Sequence, residues 1–349
     1  MNVALIGCGE VGQKRARHLG TARLVHCVDI DVTRAAQLAV LGHACASGCD
    51  WREALARADV DSVILATPPD AQVQIVRAAI AAGKHVLVEK PAARHVAELA
   101  GIPQLAAERN VCVRVGFNHR YHRAFRQARR LVDSGALGSL LYLRARYGHG
   151  GRPGYASEWR AQPQRAGGGE LIDQGVHLID LARWFLGDFE EVHGHIATFF
   201  WDMPVEDNGF LCLKTPTEKV AWLHASCTEW KNTFSFEIFG RHGKLQVDGL
   251  GGSYGVERLT YYRMLPEMGP PETRTWEYPG EDQSWSTEFA HFSECISKGR
   301  QPSGTLDDAI EALRVVEKVY ARSGIRENSA SCSASNAGTG GDRLLRMAI

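Results

Sequence analysis

Through residues 1–118, apolar runs of four or five residues alternate with segments of helical period, which predicts β-α-β units around a parallel sheet. Residues 3–6, 24–28, 63–66 and 85–88 read as strands buried on both faces, and 111–115 as a further one. Segments 10–19, 33–41, 51–57 and 71–82 carry the helical period, with Asp50 and Asp70 at N-cap positions and Gly83 as a stop. Beyond Phe117 the texture changes to long runs rich in aromatic and β-branched residues, at 139–147, 192–200, 209–214, 219–228, 234–240 and 257–263. These predict a largely antiparallel sheet with one or two helices against a face. A helical pattern over 306–322 closes the compact part. The serine-rich segment 327–341 carries too little apolar surface to offset its ordering entropy and reads as a flexible tail. The expected division is therefore an α/β unit over 1–118, an α+β unit over 119–325 and a tail over 326–349.

Composition narrows the functional classes. At 349 residues with 44% hydrophobic and 23% charged, the chain is long enough for about two domains of ~150 residues each. Forty Lys and Arg balance forty Asp and Glu, so no global field draws the protein to nucleic acid or to an anionic membrane. The start MNVALIGCGEVGQKR holds only a four-residue apolar run, too little for a secretion signal, and no stretch reaches the ~18 apolar residues of a spanning helix. Nine cysteines without a C-x-x-C pair, among them Cys8 and Cys27 in strand or loop positions, predict reduced thiols and a cytoplasmic location.

Gly7-Cys8-Gly9-Glu10-Val11-Gly12 is G-x-G-x-x-G directly after one predicted strand and directly before a predicted helix. Gly7 permits the tight turn, Gly9 lets backbone approach a pyrophosphate, and Gly12 lets the helix pack close to the sheet. The phosphates would rest on free amides at the helix N-terminus. Asp29 ends the second strand, where a carboxylate accepts both hydroxyls of an adenosine ribose and repels a 2′-phosphate, so NAD is expected over NADP. Arg34 lies close enough in sequence to offer such a phosphate a partner.

Ligands of open parallel sheets bind at the carboxyl ends of the strands. Two of those ends carry Thr67-Pro68-Pro69 and Glu89-Lys90-Pro91, so Lys90 would reach the nicotinamide end of a dinucleotide, with a following proline able to hold a cis bond. A second constellation runs from Gly167-Gly168-Gly169 to His177. Spacing of three and four places Asp173, His177, Asp180 and Trp184 on one stripe of an otherwise apolar helix that Gly187 stops. Either these polar groups serve chemistry or they form a solvated face with an i,i+4 pair. His119-x-x-His122 lacks a third ligand, and no metal is expected.

Together GCGEVG, ATPP, EKP, VGFNHR, EWRAQPQRAGGGELIDQGVHLIDLARWFLG and the closing F-x-x-C-I-x-x-G-R-x-P pattern resemble the glucose-fructose oxidoreductase/inositol dehydrogenase (Gfo/Idh/MocA) family over about residues 1 to 325. The resemblance implies an N-terminal Rossmann domain, a C-terminal α+β domain with a large open, mostly antiparallel sheet, and NAD(P)-dependent chemistry on sugars, cyclitols or their derivatives. It implies Lys90, Asp173 and His177 as catalytic groups, Trp159 and Arg160 beside the substrate, and homodimers or homotetramers. Gln72 stands where many relatives carry His, and the serine-rich tail has no family counterpart.

Oxidising a secondary alcohol needs a proton acceptor near the hydroxyl and a hydride acceptor across the carbon. His177 as an imidazole with an ordinary pKa near ~6.5 suits the first task, and Lys90 as a cation suits stabilising an alkoxide or polarising a carbonyl. From sequence, either could carry the proton. The cofactor contacts expected are Gly7, Gly9, Glu10, Val11, Gly12, Asp29, Thr67, Pro68, Glu89 and Lys90. Substrate contacts expected are Lys90, Asn118, Arg120, Trp159, Arg160, Asp173 and His177. Arg120, Arg123, Arg152, Arg160 and Arg165 together could favour a phosphorylated or nucleotide-linked sugar. The competing functions are a non-catalytic NAD-binding regulator and a glycosidase that oxidises its substrate transiently with bound NAD.

Overall fold

A computed structural model describes residues 1–42 and 45–323; the tail expected over 326–349 lies outside the described residues. The apolar runs of the first part become parallel strands β1 (Asn2–Ile6), β2 (Arg23–Val28), β3 (Ala46–Gly48), β4 (Ser62–Leu65), β5 (His85–Val88) and β6 (Val113–Val115). Their order in the sheet is β3-β2-β1-β4-β5-β6. Helices α1 (Glu10–Arg17), α2 (Val32–Ala39), α3 (Trp51–Ala56), α4 (Pro69–Ala81) and α5 (Ile102–Glu108) connect them. Ala4, Leu5, Val63, Ile64 and Leu87 are fully buried, as expected of strands covered on both faces. The strand order reverses between β1 and β4, so the loops beginning at Gly7 and Thr67 flank the switch point where such sheets bind ligands.

Two details of capping differ in outcome. The Asp50 side chain accepts from Arg52 N and caps α3 as its position predicts. Asp70 does not cap α4: the helix begins one residue earlier at Pro69, whose missing N–H suits a first helical position, and Asp70 falls inside the first turn.

The second sheet holds β7 (Leu140–Gly148), β8 (Glu191–Ala197), β9 (Asn208–Lys214), β10 (Val220–Ser226), β11 (Thr233–Gly240), β12 (Gly243–Asp248), β13 (Glu257–Arg263) and β14 (Glu272–Tyr278). Their order is β14-β13-β12-β11-β7-β10-β9-β8, antiparallel except for the β7–β10 pair. One face is covered by α6 (Arg123–Asp133), α8 (Val176–Leu186) and α10 (Leu306–Arg322), with a short α7 (Pro163–Ala166) ahead of α8 and α9 (Ser284–Lys298) elsewhere. Alternation along β11 sends Phe234, Phe236 and Ile238 inward. β3, β12 and β14 lie outside the segments that the pattern predicts. β3 is only Ala-Ser-Gly, and β14 is a mostly exposed edge whose polar residues carry no inward stripe.

The two sheets do not divide the core cleanly at residue 118. Phe289 and Phe292 of α9 pack with Val3, Leu5 and Cys27 of the first sheet, so a late helix completes the early core. Beneath it, Arg15 of α1 donates to Glu89 at 2.6 Å and pairs with Glu288, which also meets Arg114 at 3.3 Å. All four side chains are buried.

Candidate active site

The dinucleotide loop has the stereochemistry its sequence promises. Gly7 adopts φ of +97°, and a Cβ there would stand 2.5 Å from the Ala66 carbonyl oxygen, while one on Gly12 would collide with the Gly7 carbonyl. Gly9, by contrast, has open space where a side chain would be, ahead of α1, whose N-cap it forms. Asp29 receives the Cys8 amide at 2.7 Å on one oxygen and the Asp31 amide at 2.9 Å on the other, which fixes a carboxylate at the loop. At the end of β4, Thr67 Oγ1 and Gln72 Oε1 are buried without a protein partner. An open backbone cradle, a carboxylate at the ribose end and unpartnered polar groups across the switch point fit a dinucleotide. Arg34 is exposed and pairs with Asp31 at 3.3 Å.

At the end of β5 the Lys90-Pro91 bond is cis, and Lys90 turns toward the second unit. Its ammonium donates to the Asp173 carbonyl oxygen at 2.7 Å and to Asp173 Oδ1 at 2.9 Å. Asp173 Oδ2 in turn accepts from Arg160 Nε at 3.1 Å, and the Arg160 guanidinium stacks 4.5 Å over the Trp159 ring. Burial pushes the Asp173 carboxyl up, but Lys90 and Arg160 outweigh it and hold the group below the usual carboxylate range.

The triple glycine explains how Asp173 is placed. A side chain on Gly168 would strike the Tyr320 hydroxyl, and one on Gly169 the Glu206 backbone. Glu206 accepts from the amides of Gly169 and Leu171 at 3.1 Å each, and from Tyr320 at 2.7 Å, anchoring the start of the helical segment. A π-helical turn, Leu171–Gly175, follows and runs directly into α8. π-turns of this kind are frequent at functional sites.

His177 lies in the first turn of α8, 4% exposed, its ring stacked on His119 with centroids 3.7 Å apart. Its Nδ1 has no protein partner. Burial, then the positive charge of Lys90 and of His122 and Arg15, push the His177 pKa far down, so the ring is neutral at neutral pH. His119, set aside above as a metal ligand, is the ring against which His177 lies. Asn118 Oδ1 lies 3.1 Å from its Nδ1, and Asn118 Nδ2 donates to Ser284. Asn118 thus orients the ring behind His177 instead of facing substrate.

Other expectations are corrected. Arg120 does not face the cleft: it forms a two-pronged pair with Asp180, at 2.8 and 2.5 Å, and reaches Asp308 at 3.1 Å. Asp180 is therefore an internal counter-ion of Arg120. The Glu89 side chain is buried and engaged by Arg15. Arg152 pairs with Glu158 and Arg165 with Asp70, and Arg123 donates to Gln283. With Arg120 and Arg160 also matched, the five arginines present no free cationic cluster for a phosphate.

Residues 1–117 match the family model described as "Oxidoreductase family, NAD-binding Rossmann fold", and residues 125–246 match the "GFO/IDH/MocA C-terminal domain". The chain is similar to levoglucosan dehydrogenase of Pseudarthrobacter phenanthrenivorans, 33% identical over 48% of this chain and 44% of that protein, less than half its length. It is 27% identical to scyllo-inositol 2-dehydrogenase (NAD(+)) of Bacillus subtilis over 89% of this chain and 91% of that one. Among solved structures, levoglucosan dehydrogenase in complex with NADH and levoglucosan superposes with a TM-score of 0.84 at 23% identity, over 93% of this chain and 97% of that one.

Proposed function

Because the chain belongs to the GFO/IDH/MocA family of NAD-binding oxidoreductases, we propose that it interconverts a secondary alcohol and a ketone on a sugar, cyclitol or sugar derivative. The observation that carries this reading is the meeting of Lys90, from the edge of the first sheet, with Asp173, at 2.9 Å, in the segment that leads into His177. When bound, NAD supplies the acceptor or donor of hydride. The residues of this chain do the rest. Lys90 holds two acceptors, both on Asp173, which leaves the third ammonium hydrogen for a substrate oxygen. Asp173 fixes that ammonium and is itself fixed by Arg160. A ring as hard to protonate as His177 is a weak proton acceptor. We therefore assign the transferred proton to Lys90 Nζ, and to His177 the part of a neutral ring that borders the Lys90–Asp173 pair. Asp29 favours NAD, since its carboxylate would repel a 2′-phosphate.

The test is a cofactor-reduction screen over sugars, inositols, sugar phosphates and nucleotide sugars, with NAD and NADP in parallel. At least one neutral sugar or cyclitol is expected to reduce NAD faster than NADP. Silence across the panel removes the reading, and a preference for NADP removes the role given to Asp29.

The uncovered face of the second sheet supports an oligomer. Register places Tyr142 and Arg144 of β7, Trp222 of β10, and Glu237 and Phe239 of β11 side by side on it. Trp222 is 57% exposed, and Tyr142 stacks on Phe239 at 4.3 Å. Apolar area of this kind, laced with charges, marks an association surface. Two copies are expected to pair through it, and Trp222→Glu is expected to give monomers in light scattering. An unchanged mass would place the interface elsewhere.

A further inference from the structure

Three thiols gather beneath the dinucleotide loop, and the chemistry above uses none of them. Cys8 belongs to the loop itself, Cys27 lies in β2, and Cys45 stands just ahead of β3. All three are free, and the sulfurs of Cys27 and Cys45 are in contact at 3.8 Å. Cys27 is sealed, whereas Cys45 is half-buried, so an oxidant in solution meets Cys45 first. β3 is a three-residue strand at the edge of the sheet, paired only with β2. To bond, the two sulfurs have to close from 3.8 Å to ~2.0 Å, and Cys45, which precedes the first ladder pair of that edge strand, is the one placed to make the approach.

The two thiols have unequal surroundings. The hydrogen bond with Cys27, assisted by the charge of Arg57, draws the Cys45 thiol below its ordinary range against the effect of burial. Hydrogen bonds with Cys45 and Cys8, then burial, push Cys27 far up, so it keeps its proton. A partly exposed, more readily ionised thiol touching a sealed one is the arrangement of an attacking cysteine and its resolving partner.

We propose that Cys45 and Cys27 form a peroxide-sensitive dithiol whose disulfide form binds NAD more weakly. The Cys45 thiolate attacks one oxygen of a hydroperoxide, the O–O bond breaks, and the departing oxygen takes up the proton that Cys45 released. This leaves a sulfenic acid on Cys45. Cys27 Sγ then attacks that sulfur, the S–O bond breaks, and the leaving hydroxide carries off the Cys27 proton as water. In sum the two thiols lose two electrons and two protons, and hydrogen peroxide gains them to become two waters. A small dithiol reverses the change by exchange.

Packing links the pair to the cofactor. Cys8 and Cys27 share one core cluster with Val3 and Leu5, and the Cys8 thiol donates to the Val28 carbonyl oxygen at 3.5 Å. The Cys8 amide is in turn one of the two that fix Asp29, the carboxylate at the ribose end. Turning Cys27 Sγ toward the sheet edge takes support from under Cys8, and a close-packed interior passes that shift to the loop.

The experiment treats the full chain with hydrogen peroxide and no sugar, so its outcome is independent of the dehydrogenase reading. Expected are a mass loss of two hydrogen atoms, a cross-link between Cys27 and Cys45 in the peptide map, and a Kd for NADH raised about fivefold or more, all reversed by dithiothreitol. Exposed Cys49, close by in sequence, supplies the control. Cys49→Ser should keep the cross-link, whereas Cys45→Ser should lose it and hold its NADH affinity under peroxide. Cys27→Ser should stop at a sulfenic acid on Cys45, trapped by dimedone. By reciprocity NADH should raise the reduction potential of the pair, by about 20 mV for a fivefold effect at ~30 mV per tenfold. A cross-link elsewhere, or none at all, overturns the site, and an unchanged Kd in the cross-linked protein overturns its hold on the cofactor. Should the serine variants fail to fold, the peptide map and the Kd of the parent decide alone.

Discussion

Lys90→Ala is expected to lower kcat by about 10²- to 10⁴-fold, the range for loss of a positioned acid–base group, while NAD still binds. The separation of the two effects follows from the charges around the site. Lys90 is one of two cations on Asp173. When it is removed, the carboxylate keeps Arg160 at 3.1 Å, so no uncompensated charge is left behind to unfold the helix start. The dinucleotide loop is held by other groups altogether, the Asp29 carboxylate on the Cys8 amide and the close passage of Gly12 over Gly7. Single-turnover hydride transfer, read by absorbance at the reduced nicotinamide, together with cofactor titration by fluorescence, checks both halves. Retained turnover would give the proton to another group, and joint loss of turnover and NAD binding would make Lys90 a structural residue.

How much of this site the sequence discloses depends on how local each feature is. The loop at Gly7 is legible because the strand, the glycines and the helix are contiguous, and because steric contact with Ala66 and Gly7 dictates the glycines. Lys90 is legible because it ends a strand at the active edge of the sheet. Pairings between distant segments are not. Arg120 and Asp180 both look like cleft residues, yet they neutralise each other in the interior, and nothing in the periodicity of either helix announces the partner. The place of His119 is hidden for a similar reason: an Asn-His-Arg run tells which types are present, and only the fold tells which of the three lies against His177.

The largest expected loss of stability lies away from the chemistry. Glu288→Ala is expected to destabilise the protein by about 3–5 kcal/mol, the range for breaking a buried ion pair by removing one partner. Glu288 is fully buried in α9, and its two oxygens serve Arg15 of α1 and Arg114 of β6, which are 1% and 0% exposed. Burial pushes the Arg15 pKa down, but Glu288 and Glu89 more than restore it, so the guanidinium is charged and depends on both acids. With Glu288 gone, Arg15 retains Glu89, whereas Arg114 keeps only His291 Nδ1 at 3.1 Å and the face of Tyr121. That is a buried cation without a carboxylate. The exposed pair Arg129–Asp133 is the control, because Asp133→Ala should cost less than about 1 kcal/mol. Urea denaturation of both variants decides: a midpoint shift for Glu288→Ala no larger than the control would mean that water reaches the cluster. Because α9 completes the core under the dinucleotide loop through Phe289 and Phe292, the same variant is expected to weaken NAD binding, although residue 288 lies far from the loop in sequence. Glu288→Ala with Arg114→Leu should recover much of the loss, since removing both charges together takes away the uncompensated one.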